Sequence, residues 1–487
     1  MEKNIMTLMA SEKRTENGAF ALNTTFNAIV DLFAVAGALR GRQKNDIIDM
    51  WDKAYAESPE LAFKMIFYIR NVRGGLGERD TFRTLLKHVA NTYPEFVSKN
   101  ITNIPFYGRF DDLFILLDTP VETDMIVLVR DVLDADMLNM EEGKSISLLA
   151  KWMPSNNTSS AKTKALANRL ATLLNMTPAS YRKTLSALRR YGKVTEVYMS
   201  AQEWGTINYP NVSSNAMSKY KSAFMKHDEN RYSSYLNDVK DGKATIKAAT
   251  LYPYDLVRKV YNGMSDDTTE LQWKNMPDYF NGKQFNALVM ADTSASMTWE
   301  NNAQAMMTSI GLAIYFAEHN TGRFANSYMT FSSNPKIRQI KPNMSLAAKV
   351  RDVRSSEVGV STNLEKAFNL VLDTAVRHQL SQDDMPEAII VISDMEIDCG
   401  TRNDTTFTSS MKTKFENAGY KLPKLVWWNV NARANTFHAE ASDCVQFISG
   451  SSTSAFESLI TGQTLSAFEL VVQTLSAYDR VVVDMVA

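Results

Sequence analysis

Two short apolar runs, each closed by an aspartate, constrain this chain more than any other feature. Residues 285–291, Phe-Asn-Ala-Leu-Val-Met-Ala, lead into Asp292, and residues 387–393, with an Ala-Ile-Ile-Val-Ile core, lead into Asp394. Apolar runs of this length, with little polar alternation, predict strands buried on both faces. Further strands are expected at 325–331, 337–340, 424–430 and 444–448, with helices at 300–320, 364–378 and 405–418 and at the chain end. Such alternation implies a mostly parallel, doubly wound, Rossmann-like sheet over 285–487, with helices on both faces. Ligands of such sheets sit outside the carboxyl ends of the strands, near the point where strand order reverses. Asp292 and Asp394 both fall at strand ends of that kind.

Before residue 265 the periodicity is helical. Phe26, Ile29, Val30 and Phe33 recur at three- and four-residue spacing, and Leu61, Ala62, Met65, Ile66 and Ile69 line one face of a helix at 59–71. Helices are also expected at 46–56, 81–91 and 161–174, two within 121–151, and a hairpin of two at 244–262. Short helices joined by short turns predict a HEAT-like helical-repeat module over 21–264, without a strict period. The fold class expected is therefore α followed by α/β. Residues 1–20 are polar and expected to be irregular. Residues 265–284, with Ser265-Asp266-Asp267, Pro277 and Gly282, are expected to be a linker. A chain of 487 residues exceeds one ordinary core, which agrees with this division. No run approaches the ~20 apolar residues that span a bilayer, and the first residues lack the apolar core of a signal peptide. Two cysteines, Cys399 and Cys444, do not make a disulfide framework. A cytoplasmic protein without membrane contact is expected.

The net charge of −1 hides an asymmetry. Residues 151–262 hold eighteen Lys and Arg against seven Asp and Glu, an excess of eleven positive charges. An excess of that size suits a polyanion. Arg182, Lys183, Arg189 and Arg190 share a helical stretch with Leu185 and Leu188, and Lys219 and Lys221 flank Tyr220 shortly before Phe224, Lys226 and Arg231. Cations interleaved with aromatic rings supply phosphate contacts and stacking faces for bases. Upstream, Arg70, Arg73 and Arg79 surround Gly74-Gly75-Leu76-Gly77. These glycines follow no strand and lack a Gly-Lys-Ser/Thr ending, so they predict a helix-to-helix turn rather than a phosphate loop. The arginines remain candidate bidentate phosphate donors. Asp111 and Asp112 predict a helix cap and a pair with Arg109.

Three loops are expected to converge at the carboxyl edge of the sheet. They carry Asp292, Ser294 and Ser296; Thr362 within 359–363; and Asp394. Two carboxylates and three hydroxyls are hard oxygen donors of the kind Mg²⁺ takes, with water completing its shell of about six. Helix capping is the alternative use of Ser, Thr and Asp, and the ordered set on the right elements favours the cation site over it. A metal-dependent hydrolase would need a further base or second metal. The nearby acids are Glu300, Glu396 and Asp398, and none stands in a recognisable catalytic pattern. No enzymatic activity is expected.

Asp292-Thr293-Ser294-Ala295-Ser296, Thr362 and Asp394, in that order, resemble the metal-ion-dependent adhesion site of von Willebrand factor A domains. The resemblance implies direct ligation by the serines and the threonine, an aspartate acting through water, and an open position for a partner's carboxylate. Residues 69–80, Ile-Arg-Asn-Val-Arg-Gly-Gly-Leu-Gly-Glu-Arg-Asp, resemble the TROVE module of the Ro autoantigen family. Tyr107-Gly-Arg-Phe-Asp-Asp-Leu113, Ala150-Lys-Trp-Met-Pro154 and Val212-Ser-Ser-Asn-Ala216 resemble the DUF2828 family more closely. These resemblances imply a ring of helical repeats closed by the A domain. Small structured RNA would bind its basic outside, and single-stranded RNA ends would enter its hole. The alternative is a protein-interaction scaffold whose metal captures a partner carboxylate, without RNA.

Overall fold

The computed structural model describes residues 9–483, apart from 284, 299–302, 322, 332–333, 356–363, 398–406, 442–444 and 462–464. The division into a helical part followed by an α/β part is present. The main sheet has six strands: β3 (Ala287–Asp292), β4 (Ser327–Phe331), β5 (Ile337–Gln339), β6 (Ala388–Ser393), β7 (Lys424–Asn429) and β8 (Val445–Ser449). Their order is β5-β4-β3-β6-β7-β8. All neighbours are parallel except the short edge strand β5, which runs antiparallel to β4. Every residue of β3 and β6 is buried. Burial of a large aliphatic side chain is worth about 1.5–3 kcal/mol, so Ile389, Ile390, Val391 and Ile392 alone favour this placement strongly.

The order reverses between β3 and β6. From β3 the sheet proceeds through β4 on one side, and from β6 through β7 on the other. Ala287 to Ala291 lie in register with Ala388 to Ile392. The chain therefore delivers Asp292 and Asp394 side by side at the switch point.

Four expectations about local structure need correction. First, the N-terminal residues are not irregular throughout: β1 (Glu12–Arg14) and β2 (Phe20–Leu22) form an antiparallel hairpin. It is short, with a polar first strand and a buried apolar second one, and it is held by tertiary contacts; Leu22 and Phe437 exchange backbone hydrogen bonds of 2.8 and 2.9 Å. Second, the expected linker contains the helix Asp267–Lys274. Asp266 caps it by accepting from the Thr269 amide at 3.0 Å. Leu271 enters a small separate core with Tyr209, Met217, Phe224, Tyr232 and Tyr235, which ties this segment to the helical module. Third, 121–151 holds one long helix, Glu122–Glu141, and only a single turn at Leu149–Trp152. Fourth, 244–262 holds one helix, Pro253–Tyr261, rather than a pair.

The helical module rests on the α/β part at both of its ends. Helix Ala28–Val35 packs on β7 and β8. There the Gly37 amide donates to Ser449 Oγ at 2.9 Å, and a Cβ at Gly37 would lie 2.6 Å from the Ser449 carbonyl oxygen. At the other end, helix Pro253–Tyr261 packs on helix Gln304–His319. A Cβ at Gly311 would lie 2.7 Å from Pro253 Cβ. The two ends also meet each other. Arg40 lies 5.6 Å from the Tyr254 ring centroid, and Tyr252 Oη fills the space beside Gly77, whose φ of +67° is the left-handed conformation expected of the turn. The helical path thus leaves the sheet, returns to it and closes on its own start.

Candidate functional site

β3 ends at Asp292, and the backbone turns at once into a short 3₁₀ segment, Ala295–Thr298. Asp292 is 2% exposed. Its Oδ1 accepts from the Ser294 amide at 2.8 Å, and its Oδ2 from the Ser393 hydroxyl at 2.6 Å. The Ser294 and Ser296 hydroxyls lie 3.0 Å apart. Asp394, one residue past β6, is also 2% exposed. It accepts from the Glu396 amide at 3.2 Å and from the Ser296 hydroxyl. Asp292, Ser294, Ser296 and Asp394 therefore form one connected group. Thr362, assigned to the same site from the sequence, lies outside the described residues, as do Glu300, Asp398, Cys399 and Cys444.

The electrostatics are those of a site with too little positive charge. Burial, and then the neighbouring Asp394 carboxylate, push the Asp292 carboxyl up to about 7. Burial raises Asp394 too, and the Arg433 guanidinium opposes that rise. Arg433 Nη2 donates to Asp394 Oδ2 at 2.9 Å, and its Nη1 lies 3.0 Å from Glu16 Oε2. Sequence reasoning missed Arg433, because it stands in the irregular connection between β7 and β8. Only the sheet order brings that connection to the switch point.

Glu396, considered as a possible base, is 5% exposed and fully engaged. It accepts from the Thr436 hydroxyl at 2.9 Å and from the Glu16 amide at 2.7 Å. Among the described residues no group of three His, Cys, Asp or Glu converges as a ligand set, so any cation here depends on the hydroxyls as well as the two carboxylates. A cleft of about 750 Å³ opens beside the loop, and Thr298 of the loop shares its wall with Arg258, Tyr261 and Gln304.

The basic residues divide into two sets. Arg70 is 3% exposed, and its Nε donates to Asp112 Oδ2 at 2.7 Å. Lys221 is 7% exposed and bonded to the Met264 carbonyl, Thr269 and Asp266. Neither is a phosphate contact, contrary to the expectation from the sequence, since a polyanion cannot reach a buried cation already paired with carboxylate. Arg189 is turned inward to the Ala150 and Met153 carbonyls; Arg231 is exposed but engaged, bonded to the Trp204 and Ile207 carbonyls and paired with Asp228 at 2.8 Å. Arg190 pairs with Glu203, Arg79 with Asp80, and Arg73 donates to the Phe106 carbonyl; these three are exposed. Arg182, Lys183, Lys219 and Lys226 are exposed and without an ion-pair partner among the described residues. Asp111 and Asp112 act as expected: Asp111 pairs with Arg109 at 3.0 Å, and Asp112 accepts from the Arg109 amide at 3.0 Å.

The chain belongs to the family described as domain of unknown function DUF2828, whose model matches residues 15–109 and 125–294. A second model, domain of unknown function DUF7788, matches residues 286–478. The two overlap on the segment that carries Asp292 and Ser294. Among individual proteins, the chain is similar to uncharacterized protein L728 of Acanthamoeba polyphaga mimivirus, at 30% identity over 468 residues, 87% of this chain and 79% of that one. It is also similar to the crystal structure of the Deinococcus radiodurans RO (RSR) protein, with a TM-score of 0.39 and 13% identity over 89% of this chain and 92% of that one. No described helix is long and apolar enough to cross a membrane.

Proposed function

We propose that this protein is a non-catalytic RNA-binding protein whose α/β part carries a divalent-cation site. The observation that carries RNA binding is the set of exposed, unpaired cations that remains once the internally bonded ones are set aside. Lys162, Lys164, Arg182, Lys183, Lys193 and Lys226 are exposed and have no carboxylate partner among the described residues. Arg182 and Lys183 sit on the helix Pro178–Tyr191, whose Tyr181, Leu185 and Leu188 face inward. An uncompensated basic surface of this kind binds phosphates by releasing their counterions. Binding of a single-stranded oligouridylate, followed by fluorescence anisotropy, should weaken steeply between about 50 and about 200 mM salt. Absence of binding at the lower salt would remove this reading.

The donor chemistry at the switch point fits a hard divalent cation such as Mg²⁺. Two buried carboxylates stand next to each other with hydroxyls on the same loop, and Asp292 is short of a compensating charge. Asp292, Ser294, Ser296 and Asp394 would hold the ion, with Thr362 as the further donor expected from the sequence. A bound cation would supply an electrophilic docking point for an acidic group. The same observation supports a second reading, in which that docking point captures a carboxylate of a protein partner and the helical module is a scaffold. Asp292→Asn separates the two: loss of partner capture with RNA binding intact assigns the site to the protein partner.

A further inference from the structure

The loop after β6 and the connection between β7 and β8 meet a third element at the carboxyl edge of the sheet, the β1–β2 hairpin. Its turn lies against both loops. Thr15 Oγ1 donates to the Ile397 carbonyl at 2.7 Å, and Asn17 Nδ2 to the Glu396 carbonyl at 2.5 Å. Lys13 Nζ donates to the Asn435 carbonyl and to Thr436 Oγ1, both at 2.9 Å. Among these contacts, the ion pair of Arg433 alone touches the candidate cation site directly. One guanidinium nitrogen is on Asp394, whose side chain is 1% exposed, and the other is on Glu16, whose side chain is 52% exposed.

A guanidinium on a candidate ligand carboxylate is a competitor for any metal there. Asp394 Oδ2 cannot accept a charge-assisted hydrogen bond from Arg433 and give the same lone pairs to a cation. Two positive charges at one carboxylate also repel each other. Glu16 offers the displaced guanidinium a second carboxylate that it already touches. We propose that Arg433 is the resident counter-cation of the Asp292/Asp394 site, that a divalent cation enters by displacing it from Asp394 onto Glu16, and that filling the site is thereby coupled to the N-terminal hairpin. This rests on the cation reading given above, and coupling between the two events is reciprocal by linkage.

The test is a double-mutant cycle on the full chain, with Mn²⁺ as the probe and its affinity measured by electron paramagnetic resonance or calorimetry. Arg433→Gln should tighten Mn²⁺ binding by about tenfold or more, because a competing unit charge in direct contact is gone. Glu16→Gln, at an exposed position where folding is not at risk, should weaken binding several-fold. In the Arg433→Gln background, Glu16→Gln should have no effect, since Glu16 acts through the arginine. Amide exchange of residues 12–22 should change on Mn²⁺ addition in the native chain and not in Arg433→Gln. Mn²⁺ binding to Arg433→Gln but not to the native chain would show that the arginine blocks the site and does not yield it, and would overturn the coupling. An equal effect of Glu16→Gln in both backgrounds, or unchanged exchange in the hairpin on Mn²⁺ binding, would overturn it and leave the cation site standing. No Mn²⁺ binding to any of the four forms would overturn both.

Discussion

Asp112, in the helical module, is fully enclosed and receives Arg70 Nε and Arg83 Nε at 2.7 Å each and the Arg109 amide at 3.0 Å. Asp292, at the sheet switch point, is almost as deeply enclosed. It receives the Ser393 hydroxyl and both the amide and the hydroxyl of Ser294, and it stands beside another carboxylate. The first carboxylate is saturated with positive donors and ties the loop 108–112 to two helices. The second is solvated by neutral dipoles, and among the described residues no cation pairs with it directly. A buried carboxylate is tolerated when its charge is compensated or when it keeps its proton: Asp112 is compensated by the fold, whereas burial and the Asp394 carboxylate push Asp292 up to about 7.

The comparison can be broken most severely at Asp112. Asp112→Ala should destabilise the protein by about 3–5 kcal/mol, because it leaves the Arg70 guanidinium buried without its partner. A fall of that size in the unfolding free energy, read as a lower denaturant midpoint at unchanged slope m, is the expected record. A loss below about 1 kcal/mol would show that Arg70 reaches solvent.

The next effect concerns how the two regions are held together. Gly311→Ala should cost about 1–3 kcal/mol, because the added methyl meets Pro253 of the helical module at 2.7 Å. Exchange of amides in 253–261 should rise in this variant, while exchange in the central strands β3 and β6 stays slow.

A smaller effect is expected at the basic surface. Reversing Arg182 and Lys183 together to glutamate should weaken oligouridylate binding by about tenfold, and lower the salt slope by about 1.4 for two lost phosphate contacts. Stability should hardly change, since both side chains are exposed. Reversal of Lys219 and Lys226 checks whether the surface extends to the helix Ser214–His227.

The smallest and most diagnostic effect is at Asp292. Its carboxyl, pushed up to about 7 by burial and by Asp394, binds its proton more tightly in the folded than in the unfolded chain. Its contribution to stability is therefore fullest below the ordinary carboxylate range and is lost as pH rises toward about 7. In the presence of a chelator, Asp292→Asn should raise stability by about 1 kcal/mol relative to the native chain above neutral pH, and by less under acidic conditions. Melting curves at both pH values check this. Mn²⁺ should stabilise the native chain and not the variant. A native chain whose margin below Asp292→Asn is the same at both pH values would show that Asp292 is already compensated.

Much of the architecture was legible because the relevant forces are local. The apolar runs before Asp292 and Asp394 could only be buried strands, and their alternation with helical segments implied the parallel sheet. Gly77 and the Asp111/Asp112 cap were readable because a positive φ and a capping carboxylate have local signatures. The segment 265–284 is illegible for the complementary reason. Its Ser, Asp and Pro content resembles a linker, while the pull that makes Asp267–Lys274 a helix comes from Leu271 entering a core built by residues 207–246. Basic residues were the least legible: Arg70 and Arg182 are alike in sequence, yet one is buried against Asp112 and the other is exposed.

By itself the sequence determined the α followed by α/β order, the central strands, and the pairing of Asp292 with Ser294 and Ser296 in one loop, since each depends on spacing along the chain. The convergence of Asp394 on that loop was also expected, from its place at a strand end; only the tertiary structure decided that Arg433 would reach Asp394 from between β7 and β8, and that Glu16 would reach Arg433 from the opposite end of the chain. Burial and charge compensation depend on which distant segments meet, and spacing along the chain does not carry that information.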